Sequence, residues 1–126
     1  MNLEELKQIL INSLEGLDAD KIQLMYDHPE TYKQYYGYIF DFYSNYPDNA
    51  GSLNELGYMY EHGLGMERNI EKAIELYKKA IQKDHRDAMY NLASMYDYGE
   101  GVEHNYKKAI KLYKKGIELG DSDAIN

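Results

Sequence analysis

Leucines, isoleucines and tyrosines recur along this chain at intervals of three and four, the spacing that gathers apolar side chains onto one face of an α-helix. Leu3, Leu6, Leu10, Leu14 and Leu17 predict a first helix, with Asn2 and Glu5 spaced as a capping pair and Gly16 as its stop. A second, short helix is expected from about Asp18, turning Ile22, Met25 and Tyr26 inward and ending before Pro29. A third begins near Pro29, which a first helical turn tolerates, and carries Tyr32, Tyr36, Ile39, Phe40 and Tyr43 before stopping at Pro47. The Pro-Asp-Asn-Ala-Gly stretch at 47–51 is the clear break of the first half.

From residue 52 the pattern is written twice, thirty-six residues apart. Leu56/Leu92, Met59/Met95, Tyr60/Tyr96, Gly63/Gly99, Gly65/Gly101, Asn69/Asn105, Ala73/Ala109, Leu76/Leu112 and Tyr77/Tyr113 pair without a gap. Each copy reads as a helix, a glycine-rich turn and a longer helix. In the first copy the opening helix spans about 52–62, with Leu53, Leu56, Met59 and Tyr60 inward. Gly63 and Gly65 reverse the chain, Asn69 caps, and a helix at about 70–83 turns Ile70, Ala73, Ile74, Tyr77, Ala80 and Ile81 inward. The second copy substitutes Met89, Leu92, Ala93 and Tyr96, then Ala109, Ile110, Leu112, Tyr113 and Ile117. Seven helices are expected, three irregular and four in repeat. Self-similarity at this period marks stacked units, none of which buries its apolar face alone.

The segments LGYMYEHGLGMERNIEKAIELYKKAI and LASMYDYGEGVEHNYKKAIKLYKKGIELGDSDA resemble the Sel-one-like repeat, a tetratricopeptide-related helical hairpin. The glycine pairs, the Lys72-Ala73 and Lys108-Ala109 steps and the Tyr77 and Tyr113 anchors carry that resemblance. Ser52 and Gly116 depart from it, each standing where the family has alanine. The expected fold is all-α: an α-solenoid of antiparallel helix hairpins in a right-handed superhelix, with a helical N-terminal cap. The divisions are a cap at 1–51, repeats at 52–87 and 88–123, and the start of an incomplete repeat at 124–126. The resemblance implies scaffolding, a non-enzymatic adaptor that holds other proteins. Secreted members close each repeat with a disulfide, so a chain without cysteine resembles the intracellular, cytoplasmic ones.

Composition narrows the picture further. A formal net charge of −8 disfavours a general attraction to phosphate backbones or anionic membranes. The start is acidic with spaced apolar residues, unlike a secretory signal, and no stretch approaches the roughly 18 apolar residues of a membrane span. Fifteen tyrosines against no tryptophan suit helix interfaces whose hydroxyls still need partners. The histidines at 28, 62, 85 and 104 lack the spacing of a helical metal site, and the GLG and GEG turns lack the strand and third glycine of a nucleotide loop. No catalytic, cofactor or metal residue is therefore expected.

Two surfaces stand out. If the first helix of each hairpin lines the concave side, Asn54, Tyr58, Glu61 and His62, followed by Tyr90, Ser94, Asp97 and Tyr98, form an acidic, tyrosine-bearing strip. Such a groove suits a basic or polar peptide, and an ordinary solvated face is the plain alternative. The last helix carries Lys107, Lys108, Lys111, Lys114 and Lys115, a basic stripe that suits a nucleic acid, an acidic neighbour or, more simply, solvent; without interleaved aromatics or a recognition motif, nucleic acid is not the expected partner. The cap, through Leu3, Leu6, Leu10, Tyr36 and Phe40, is expected to cover one flank of the stack. Ile110, Ile117, Leu119 and Ile125 are left at the other, inviting dimerisation or a partner that completes it. A regulatory subunit of an enzyme, or a self-associating structural protein, is the alternative function.

Overall fold

A computed structural model describes the backbone of residues 1–125 and the side chains of residues 1–120, and those residues are helical with no strand. The helices are α1 (Leu3–Ser13), α2 (Ala19–Asp27), α3 (Pro29–Tyr32), α4 (Tyr36–Ser44), α5 (Ala50–His62), α6 (Ile70–Ile81), α7 (Arg86–Tyr98) and α8 (Tyr106–Ile125). Helices α5 and α6 form one hairpin and α7 and α8 the next, with α6 packed on α7 and α4 on α5. The result is an α-solenoid.

Local chemistry places the helix ends. Asn2, Asn49, Asn69 and Asn105 each accept a backbone N–H three residues on, from Glu5, Ser52, Lys72 and Lys108, at 2.8–3.1 Å. These are orphan donors of the first helical turn, satisfied by side chains. Gly63 and Gly99 close α5 and α7 in the left-handed conformation, with φ of 65° and 67°. A side chain there would strain the backbone.

The third expected helix is present in pieces. After α3 the chain tightens into a 3₁₀ turn at Lys33–Tyr35 and starts α4 afresh at Tyr36. That break gives α4 the place of a preceding second helix. A Cβ on Gly65 would lie 3.0 Å from Tyr36, the first residue of α4, and one on Gly101 would lie 2.6 Å from Ile70, the first residue of α6. Each turn thus rests on the start of the helix before it. Ser52 joins the two halves: its buried hydroxyl donates to the Tyr43 carbonyl at 2.6 Å, satisfying an acceptor at the end of α4. That bond is why serine replaces the expected alanine.

Tyr36, Tyr43 and Tyr77 are wholly buried, and each hydroxyl is bonded. Tyr36 donates to the Met25 carbonyl at 2.7 Å, Tyr43 meets the Ser13 hydroxyl at 2.7 Å, and Tyr77 donates to the Glu61 carboxyl at 2.7 Å. Around them lie Leu6, Leu10, Ile22, Met25, Ile39, Met59 and Met95. In each of these three tyrosines the ring fills a helix interface and the hydroxyl ties off a polar group.

Some expected core positions lie outside it. Leu3 and Leu17 are about half exposed because α1 buries only Leu6 and Leu10 fully, and the chain leaves the helix at Leu14. Ile110 and Ile117 are exposed too, at 57% and 54%, on the outer face of α8 where no further hairpin packs among the described residues. Helix α8 passes through Gly120 to Ile125. Asn126, the last residue of the expected repeat start, and the Ile125 side chain lie outside the described residues.

Candidate protein-interaction cleft

Three helices wall a cleft of about 330 Å³: Ala19, Asp20 and Gln23 of α2, Asn54, Glu55 and Tyr58 of α5, and Asp87, Tyr90 and Asn91 of α7. The first helices of both hairpins line it, and the cap supplies the opposite wall. Three carboxylates face it without any lysine or arginine.

Tyr58 and Tyr90 each pack on neighbouring rings. Tyr58 stacks on Tyr26 with ring centroids 5.3 Å apart, lies 4.2 Å from the His62 ring, and accepts a hydrogen bond from Gln23 at 2.9 Å. Tyr90 lies over Tyr113, centroids 6.4 Å apart. A Cβ on Gly116 would sit 2.5 Å from the Tyr90 ring, so only glycine leaves that ring its place. This accounts for the second departure from the alanine pattern. Across the floor, the Asn91 amide donates to Asn54 Oδ1 at 2.9 Å, locking α7 to α5.

Glu55 is the electrostatic centre. Burial of its carboxyl pushes the pKa up to about 7, and the neighbouring Asp87 charge pushes the same way. A hydrogen bond donated by the Tyr26 hydroxyl at 3.0 Å works in the other direction. Desolvation dominates because, among the described residues, the carboxylate accepts from Tyr26 and forms no ion pair.

Of the strip expected from sequence, the structure brings Asn54, Tyr58 and Tyr90 into the cleft and disperses the rest. Glu61 is buried inside the first hairpin, where it accepts from Tyr77, and burial raises its pKa. His62 is exposed, beside Tyr58 and 3.5 Å from Glu61. Ser94 and Asp97 face the Tyr113 hydroxyl, and Tyr98 stands 67% exposed at the end of α7. The i, i+4, i+7 rule follows one edge of the helix, and the pair at Glu61 and Asp97 rotates toward the helix partner.

Sequence reasoning missed Asp20, Gln23, Glu55, Asp87 and Asn91. Glu55 and Asn91 occupy the same repeat position, one step from Asn54 and Tyr90, so a wider stripe finds them. Asp20 and Gln23 belong to the irregular half, and only the fold brings them here. Among the described residues no three His, Asp or Glu side chains converge as metal ligands.

Compared with known families, residues 50–85 and 86–121 each match the Sel1 repeat, together more than half of the chain. The chain belongs to the Sel1 repeat family. The two matches keep the thirty-six-residue step seen in the sequence, and Sel1 repeats are generally protein–protein interaction modules. Among solved structures, a Sel1 repeat protein from Oxalobacter formigenes is 31% identical, with a TM-score of 0.62 over 73% of this chain and 38% of that one. The protein c5321, a protective antigen present in uropathogenic Escherichia coli strains and displaying an SLR fold, is 34% identical, with a TM-score of 0.58 over 74% of this chain and 20% of that one. The chain therefore spans less than two-fifths of the length of either structure. No curated protein matches it. No helix among the described residues is long and apolar enough to cross a membrane.

Proposed function

We propose that this Sel1 repeat chain is a non-enzymatic adaptor whose cleft receives a basic segment of a partner protein. The observation that carries this reading is the cleft itself: Asp20, Glu55 and Asp87 around the rims of Tyr58 and Tyr90. Carboxylates above aromatic walls suit a lysine or arginine, whose stem packs on a ring while its charge meets the acids. The locked Asn54–Asn91 and Tyr26–Tyr58 contacts support preorganisation, which lowers the ordering cost of binding. In this reading residues 1–51 act as a cap that also walls the site, ahead of repeats at 52–87 and 88–123, and the lack of cysteine fits a reducing, cytoplasmic setting.

The test is calorimetry with a short arginine- and lysine-containing peptide. Asp20→Lys with Asp87→Lys, both at exposed positions, should weaken binding by about tenfold or more with the fold intact by circular dichroism. Unchanged affinity removes the cleft as the binding surface.

A second reading rests on the outer face of α8. Tyr106, Ile110 and Ile117 are all more than half exposed along α8. Self-association through this face buries them, and it predicts a mass by light scattering that rises with concentration and reverts to monomer in Ile110→Lys/Ile117→Lys. A concentration-independent monomer ends that reading.

A further inference from the structure

We infer that a separate groove between α6 and α8, on the face formed by the second helices, docks an acidic, leucine-bearing peptide segment of a partner protein. The groove, of about 420 Å³, is walled by Lys78, Lys108 and Lys111 and floored by Ile81, Leu92, Tyr96 and Leu112.

Comparison with its counterpart one repeat earlier carries the inference. There Leu56, Tyr60, Lys72 and Leu76 occupy the positions of Leu92, Tyr96, Lys108 and Leu112, and the space is smaller, about 240 Å³. Phe40 fills part of it, edge-on to Tyr60 with centroids 5.6 Å apart. Glu75 neutralises it, bridging Lys72 at 3.6 Å and Lys79 at 3.4 Å. The first groove is narrowed, and its charge balanced, by the chain's own residues.

In the second groove both devices are reversed. The position of Glu75 is taken by Lys111 and that of Glu71 by Lys107, so five positions with three lysines and two glutamates become five lysines. Against Tyr96 there is no aromatic, only the Lys108 ammonium 5.2 Å from the ring centre. Lys107, Lys108, Lys111, Lys114 and Lys115 form no ion pair among the described residues. Like charges three and four residues apart on one helix repel, and an acidic segment relieves that repulsion.

The apolar floor decides the class of occupant. A phosphate backbone meets lysines but has nothing to place on leucine and tyrosine, and the chain's net charge of −8 opposes a nucleic acid at longer range. A glutamate-rich helix with leucines on one face satisfies walls and floor together. The site shares no residue with the cleft at Asp20 and Glu55.

The experiment uses the full chain and three fluorescein-labelled probes: a short Glu–Leu amphipathic peptide, the same peptide with serine for leucine, and a single-stranded oligonucleotide. Anisotropy should show saturable binding of the Glu–Leu peptide that weakens with salt. Affinity should fall about tenfold or more in Lys108→Glu/Lys111→Glu and on exchanging leucine for serine, and stay within about twofold in Lys72→Glu/Lys79→Glu. The Asp20→Lys/Asp87→Lys protein should keep its affinity, which separates this groove from the cleft. Amide shifts at Tyr96, Lys111 and Leu112 should mark the site. No saturable binding, equal binding by the lysine variant, or tighter binding of the oligonucleotide overturns the proposal. Lys111→Glu alone, which removes repulsion, should stay folded and still weaken the Glu–Leu peptide.

Discussion

The hairpin α5–α6 has α4 on one side and α7 on the other, whereas α7–α8 meets a neighbour on one side among the described residues. The contacts inside the two hairpins differ as well. Tyr77 is wholly buried and bonded to Glu61, while its counterpart Tyr113 is half-buried and faces the shorter Asp97. Gly57 lets the Tyr77 ring come within 2.8 Å of where a Cβ would be, and Ala93, at the same repeat position, denies Tyr113 that depth. The pair Asn54 and Ala80 becomes Tyr90 and Gly116, volume moving from one helix to the other. The comparison teaches that a repeat transmits its backbone faithfully, while each interface settles its own contacts according to what lies beyond it.

The largest effect expected comes from closing the space that distinguishes the first hairpin. Gly57→Val drives a side chain into Tyr77 and the Ala73 carbonyl, which a Cβ there would already approach to 3.3 Å, and should cost about 3 kcal/mol by thermal unfolding. Gly116→Ala meets a half-exposed ring that is able to swing away, and gains helix propensity, so a net change of about 1 kcal/mol or less is expected. Adding Tyr90→Asn to it rebuilds the first hairpin's pair and should make the combination more stable than Gly116→Ala alone. Equal losses at Gly57 and Gly116 break the comparison.

Next comes Tyr77→Phe, which leaves the buried Glu61 carboxyl without its donor and should cost about 1–3 kcal/mol. Tyr113→Phe should cost less than about 0.5 kcal/mol, because water replaces the lost hydroxyl.

Glu55 offers a pH test. Its folded pKa stands at about 7, above the ordinary 4.5, so the native state binds more protons than the unfolded chain between those values. Stability from this group is therefore present in full below about pH 4.5 and is lost as pH rises toward 7. Glu55→Gln should flatten that slope and stabilise the protein at pH 8 by roughly 1 kcal/mol, as seen in urea midpoints across pH. A slope unchanged by the substitution would show that Glu55 is not desolvated.

The smallest effect sharpens the electrostatic contrast. Lys111→Glu gives α8 the arrangement of Glu75 between two lysines and should raise stability by about 0.3–0.5 kcal/mol at low salt, vanishing at high salt. The mirror change, Glu75→Lys, should lower it by a similar amount.

Periodicity alone determined the helices of both repeats, their glycine turns and asparagine caps, and the inward set from Leu53 to Tyr77, because these depend on contacts within a hairpin that the spacing encodes. The family was legible for the same reason. Three of the eight strip residues, Asn54, Tyr58 and Tyr90, line the cleft, and they are those nearest the contact between α5 and α7. Tertiary structure alone decided the break at Lys33–Tyr35, the serine at 52 that ties off Tyr43, and the wall of Asp20 and Gln23 that turns a helix face into a cleft. It also decided that Glu61 serves the core and that the lysines of α8 form no ion pair among the described residues. Each of these depends on which side chains meet across separations that no local period records, where burial sets the worth of every charge and hydroxyl.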